Sequence, residues 1–133
     1  MGRNEVVMIA PALPRTVALS REPAIARRQV GRLLADAGWR GDVDAVTLAV
    51  HEALVNSANH ADGVTAATAE CDGRAVVVEV RDRGRGFAVP VSADLPDAAA
   101  ERGRGLYLIR RLATDAAVTL ADGEVCLHLR FEA

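Results

Sequence analysis

The sequence predicts an α+β fold, a two-layer sandwich in which a mixed, mostly antiparallel sheet is covered on one face by three helices. Two segments of helical apolar spacing follow a short N-terminal strand. Two strong hairpin turns, Asp72-Gly73 and Asp122-Gly123, each separate a pair of strand-like apolar runs. A third, short helix falls between the hairpins. The order β-α-α-β-β-loop-α-β-β is that of a sandwich with its helices gathered on one side.

Taken in order, residues 16–19 read as the first strand, ending at Ser20, which is placed to cap a helix beginning near Glu22-Pro23. Ile25, Val30, Leu33 and Leu34 recur near helical spacing, and Gly38 supplies the stop. Asp42 is placed to cap the second helix, which runs to about Ala61 before Asp62-Gly63 ends it. Strands over 64–71 and 75–81 follow. Residues 87–102 lack periodicity and carry Pro90 and Pro96, and so read as a loop whose length suggests function. A helix from about Gly103 to Leu112 and strands over 117–120 and 125–131 complete the chain.

With 133 residues, half of them hydrophobic, the chain (1–133) is expected to form one domain with a real core. Only Trp39, Phe87, Tyr107 and Phe131 are aromatic, so Val, Leu, Ile and Ala must build that core. A net charge of −2 gives no electrostatic case for nucleic acid or an anionic membrane. All 16 basic side chains are Arg. Without a Lys, a Walker-type phosphate loop and Schiff-base chemistry are both excluded. Cys71 and Cys126 stand far apart in strand-like surroundings and read as buried, reduced thiols. The apolar run Val6–Ala10 is interrupted by Pro11 and Pro14, too short for a span and poor as a signal peptide. A cytoplasmic protein is the expectation.

Three segments carry possible chemistry. At about 100° per residue, Val46, Val50, Ala53, Ser57 and Ala61 share the buried face of the second helix. Glu52, Asn56 and His60 run along its shoulder, between core and solvent. A Glu and an Asn so placed can be merely solvated. They can equally serve chemistry, the Asn amide oxygen as a hard ligand for Mg²⁺ and the Glu as base for an attacking hydroxyl or water. In Asp82-Arg83-Gly84-Arg85-Gly86-Phe87, an ordinary turn competes with a ligand-binding one. In the latter, Asp82 accepts from an exocyclic amine such as that of adenine, and Gly84 and Gly86 let backbone approach the ligand. Gly103-Arg104-Gly105-Leu106 places two glycines before an apolar helix whose free N–H groups and dipole suit phosphate. Arg83, Arg85, Arg102 and Arg104 flank these glycines, either solvated or in contact with phosphate or a partner.

In combination, E-x-x-x-N on a helix, D-x-G-x-G-F, a lid and R-G-x-G-L-x-L-I resemble the Bergerat-fold (GHKL) ATPases. Within them, the stretches LAVHEALVNSANHA, DRGRGF and LPDAAAERGRGLYLIRRL, with Pro23 and then Arg27-Arg28 after the first strand, resemble the bacterial anti-sigma-factor serine/threonine kinases. The resemblance covers roughly residues 14–131. It implies ATP and Mg²⁺ as cofactors, Glu52 as catalytic base and Asn56 as metal and nucleotide ligand. It further implies Asp82 at adenine and Gly84, Gly86, Arg102, Gly103, Arg104, Gly105 and Leu106 around the nucleotide, with residues 87–102 as lid. The implied activity is phosphotransfer to a Ser or Thr of an anti-anti-sigma factor, competing with capture of a sigma factor, and such kinases are commonly homodimers. Two positions depart from the family: Glu124 follows Gly123 where a Thr usually supports the adenine site, and Thr114 replaces a frequent Asp. The first departure makes a nucleotide-gated binding protein without significant kinase activity the alternative.

Overall fold

The computed structural model describes residues 15–60, 63–83 and 104–133. Its elements are β1 (Arg15–Ala18), α1 (Pro23–Ala37), α2 (Val43–His60), β2 (Val64–Cys71), β3 (Ala75–Asp82), α3 (Arg104–Leu112), β4 (Asp115–Ala121) and β5 (Glu124–Glu132). The five strands form one sheet in the order β1-β2-β3-β5-β4. Every pairing among them is antiparallel, so the mixed component expected from the sequence is not found among the described strands. The reason lies in the connections. Each hairpin pairs its own strands, and β5, the second strand of the second hairpin, docks between β4 and β3.

Local chemistry explains the helix boundaries. Pro23 opens α1, where its missing N–H costs nothing. Ser20 does not cap this helix as expected. Its Oγ instead accepts from the Glu22 N–H at 3.1 Å, and its own N–H donates to Gln29 Oε1 at 2.7 Å, tying the strand end to the first turns of the helix. Gly38 ends α1 with φ 68°, and the N–H groups of Gly38 and Trp39 close onto the Ala35 and Leu34 carbonyls. Asp42 caps α2 as the sequence indicates, accepting from the Ala45 N–H at 3.1 Å.

Alternation of side chains along the strands gives the sheet two unlike faces. Val76, Val78 and Val80 of β3 and Leu127, Leu129 and Phe131 of β5 pack beneath Val30 and Leu34 of α1, Val46, Val50 and Leu54 of α2, and Ile109 of α3. Burying each such side chain contributes about 1.5–3 kcal/mol against its transfer to water. The opposite face carries Glu79, Arg81, Cys126, His128 and Arg130, and none of the described helices packs on it. In β2, the register against β3 slips between Val64 and Ala66, leaving Thr65 as an extra residue. Cys71 and Cys126 are both buried free thiols. No described helix is long and apolar enough to cross a membrane.

Candidate functional site

The α2 helix is the organising element of the site because three consecutive needs fall on neighbouring positions along it. Glu52 and Asn56 lie one turn apart, Glu52 half-buried and Asn56 only 9% exposed. Ser57, next to Asn56, turns into the protein and is 3% exposed. Its hydroxyl donates to Asp82 Oδ2 at 2.9 Å.

Asp82 ends β3 on the face beneath the helices and is itself 3% exposed. A buried carboxylate is costly unless it is hydrogen-bonded, and the Ser57 hydroxyl meets part of that demand. Along the same rung of the sheet, Val64 of β2 and Val125 of β5 flank Asp82, and Leu120 of β4 pairs with Val125. Val64 and Val125 are buried, whereas Leu120 is 68% exposed at the sheet edge. The result is an oriented carboxylate set in a strip of apolar side chains. Such a strip suits the flat, apolar surface of a base with one polar group to recognise.

The opposite side of α2 meets α3. A Cβ built on Gly105 would lie 3.1 Å from Glu52 Oε2, so the missing side chain is what lets the first turn of α3 close on the Glu52 carboxylate. Arg104 is the first residue of α3, and Leu106 is partly buried against the core. The helix start therefore lies beside Glu52. Gly84, Gly86, Arg102, Gly103 and the lid segment 87–102 lie outside the described residues.

Two features were not anticipated from the sequence. Ser57 was assigned only to the buried face, although a hydroxyl on such a stripe signals a polar partner within the core. Glu124 was expected behind Asp82. The register corrects this, because Val125 is the residue paired with Asp82 and sharing its face. Glu124, one position earlier, projects from the other face, where its Oε2 accepts from the Thr65 hydroxyl at 2.5 Å. The bulge at Thr65 explains this contact, since the extra residue leaves the hydroxyl free of the regular ladder alternation.

The sheet order, the helices on one face and the helix-to-strand-end arrangement at Asp82 together define a Bergerat-type α+β sandwich. The chain belongs to the histidine kinase-like ATPase domain family, whose pattern it matches over residues 16–131. Its fold is similar to the crystal structure of the RsbU and RsbW domains of Rv1364c from Mycobacterium tuberculosis, with a TM-score of 0.62 at 20% identity. That match covers 92% of this chain and 32% of the other, so the present chain spans about a third of the longer protein. No curated protein sequence matches the chain.

Proposed function

We propose that this protein is an ATP-binding anti-sigma regulatory factor that acts as a serine/threonine kinase on an anti-anti-sigma partner and also captures a sigma factor. Family membership supports ATP binding, and the resemblance of the three motifs to anti-sigma-factor kinases supports the regulatory role. The observation that carries the reading is the α2 helix, which holds a buried carboxylate through Ser57 on one side and meets the start of α3 through Glu52 on the other.

The residues present fit ATP and Mg²⁺. Asn56 offers a neutral oxygen donor at the cleft shoulder, the hard ligand type that Mg²⁺ accepts beside waters and phosphate oxygens. Asp82, ionised, accepts only, and so selects an amino purine over a keto purine. The Val64 and Val125 side chains beside it exclude water from the base. The start of α3 offers backbone N–H groups of the kind that suit anionic oxygens. When bound, Mg²⁺-ATP supplies the transferable γ-phosphoryl group. Glu52 takes up the proton of the attacking Ser or Thr hydroxyl at a carboxylate oxygen, and the close approach of Gly105 limits the positions that carboxylate can adopt.

The test uses labelled ATP, Mg²⁺ and anti-anti-sigma proteins from the same genome. Label is expected to move to a Ser or Thr of one such partner, with Glu52→Ala losing transfer by about 100-fold or more while retaining ATP binding. Partner binding with no transfer to any candidate would leave a nucleotide-gated binding protein in place of a kinase. Glu124, held by the Thr65 hydroxyl on the far face, does not supply the support that a Thr gives the adenine site elsewhere in the family, and the transfer assay decides between the two readings.

A further inference from the structure

We propose that Glu79, Cys126 and His128 form a Zn²⁺ site on the open face of the sheet, independent of the nucleotide cleft on the other face. The three side chains come from adjacent strands. Glu79 pairs with His128, and Arg81 with Cys126, across β3 and β5. Cys126 and His128 are two residues apart on β5 and therefore point the same way.

Their ligand atoms already stand near metal spacing. Cys126 Sγ lies 3.5 Å from Glu79 Oε2 and 4.0 Å from His128 Nδ1, and that nitrogen lies 3.7 Å from the same Glu79 oxygen. The point equidistant from all three atoms lies in their plane about 2.2 Å from each, close to Zn–ligand bond lengths, so a tetrahedral ion needs the ligand atoms to close up by only a few tenths of an ångström. One thiolate, one imidazole and one carboxylate also form the mixed donor set that zinc takes tetrahedrally, the fourth position going to water.

A supporting shell is present. His128 Nε2 is 2.9 Å from Thr119 Oγ1 of β4, so the ring can donate its Nε2 proton to that hydroxyl and present Nδ1 with its lone pair to a metal. Arg81 is the competing cation, 3.3 Å from Glu79 Oε2, but its side chain is 46% exposed and is free to move onto the other carboxylate oxygen or into solvent. Cys126 is 3% exposed, which shields the sulfur from solvent. Metal binding has to displace the Cys126 thiol proton to solvent.

Co²⁺ titration of the full chain reads the site directly, because a bound thiolate gives a charge-transfer band and a tetrahedral site gives intense d–d absorption. One Co²⁺ per chain with both features, displaced by one equivalent of Zn²⁺, is expected. Cys126→Ser should abolish the charge-transfer band, and Cys71→Ser should leave it intact. His128→Gln should weaken binding by about 100-fold or more, and Thr119→Val by about tenfold. Should Cys126→Ser fail to fold by circular dichroism, His128→Gln decides. A wild-type protein without the thiolate band at saturating Co²⁺, or a band unchanged in folded Cys126→Ser or His128→Gln, would overturn the proposal.

Discussion

Ser57→Ala isolates the bond that holds the buried Asp82 carboxylate. The hydroxyl and the carboxylate are each 3% exposed, and the bond is 2.9 Å long. A buried hydrogen bond to a charged group is worth about 1.5–3 kcal/mol. Alanine returns up to about 0.5 kcal/mol through its higher helix propensity. The net loss is therefore about 1–2.5 kcal/mol. For a chain of this length that lowers the melting temperature by about 4–9 °C. A second effect follows on the ligand side. With one of its donors gone, the Asp82 carboxylate must be ordered when the nucleotide arrives, at about 0.5–1.5 kcal/mol, which weakens ATP by about two- to tenfold. Thermal unfolding gives the first quantity and calorimetric titration with Mg²⁺-ATP the second. Thr65→Val, which removes the hydrogen bond on the opposite face of the sheet, should leave ATP affinity unchanged. A melting temperature within about 1 °C of wild type, together with unchanged ATP affinity, would refute the claim that Ser57 holds Asp82 for the ligand.

Other variants follow from the same geometry. Asn56→Ala should abolish the Mg²⁺ dependence of nucleotide binding, measured by titrating ATP with and without the cation; an unchanged dependence would exclude Asn56 as the metal ligand. Gly105→Ala places a Cβ against the flexible end of Glu52, so the carboxylate shifts by a few tenths of an ångström and stability changes by less than about 1 kcal/mol. If Glu52 is the base of the proposed phosphotransfer, the rate should fall by about tenfold in single-turnover assays. The raised Cys126 thiol predicts slow alkylation at neutral pH. It also predicts a pH effect with a definite sign. The folded-state value of about 11 exceeds the ordinary thiol value of 9.0, so the unfolded chain loses its proton first and stability falls as pH rises through that window. Urea midpoints of wild type and Cys126→Ser across this range should converge as the pH rises.

Much of this architecture was legible because the local signals agreed with one another. Asp42 and Gly38 bound the helices where their chemistry indicated, and the two Asp-Gly turns fixed the hairpins. Glu52 and Asn56 could be placed on α2 from spacing alone, whereas the glycines after residue 102 read only as a helix start suited to phosphate, and the close approach of Gly105 to Glu52 emerges from the fold. The missed details depend on register. A single extra residue at Thr65, and the choice of Val125 over Glu124 as the partner of Asp82, are set by how strands dock, and a one-residue difference reverses the face on which a side chain lies. Ser57 shows another limit. Its burial could be read from helical periodicity, but its partner 25 positions away is joined to it only by the tertiary fold. The Glu79, Cys126 and His128 cluster is invisible in the sequence for the same reason, since Glu79 lies 47 positions from Cys126.

Competition between ATP and GTP tests the central claim most directly, because Asp82 is the one residue proposed to read the base. Calorimetric titration with Mg²⁺ should show ATP bound at least about tenfold more tightly than GTP, the equivalent of one lost hydrogen bond to a charged group. Asp82→Asn should erase most of that preference. Equal affinities of the wild-type protein for the two nucleotides, or a preference for ATP undiminished in Asp82→Asn, would contradict the account.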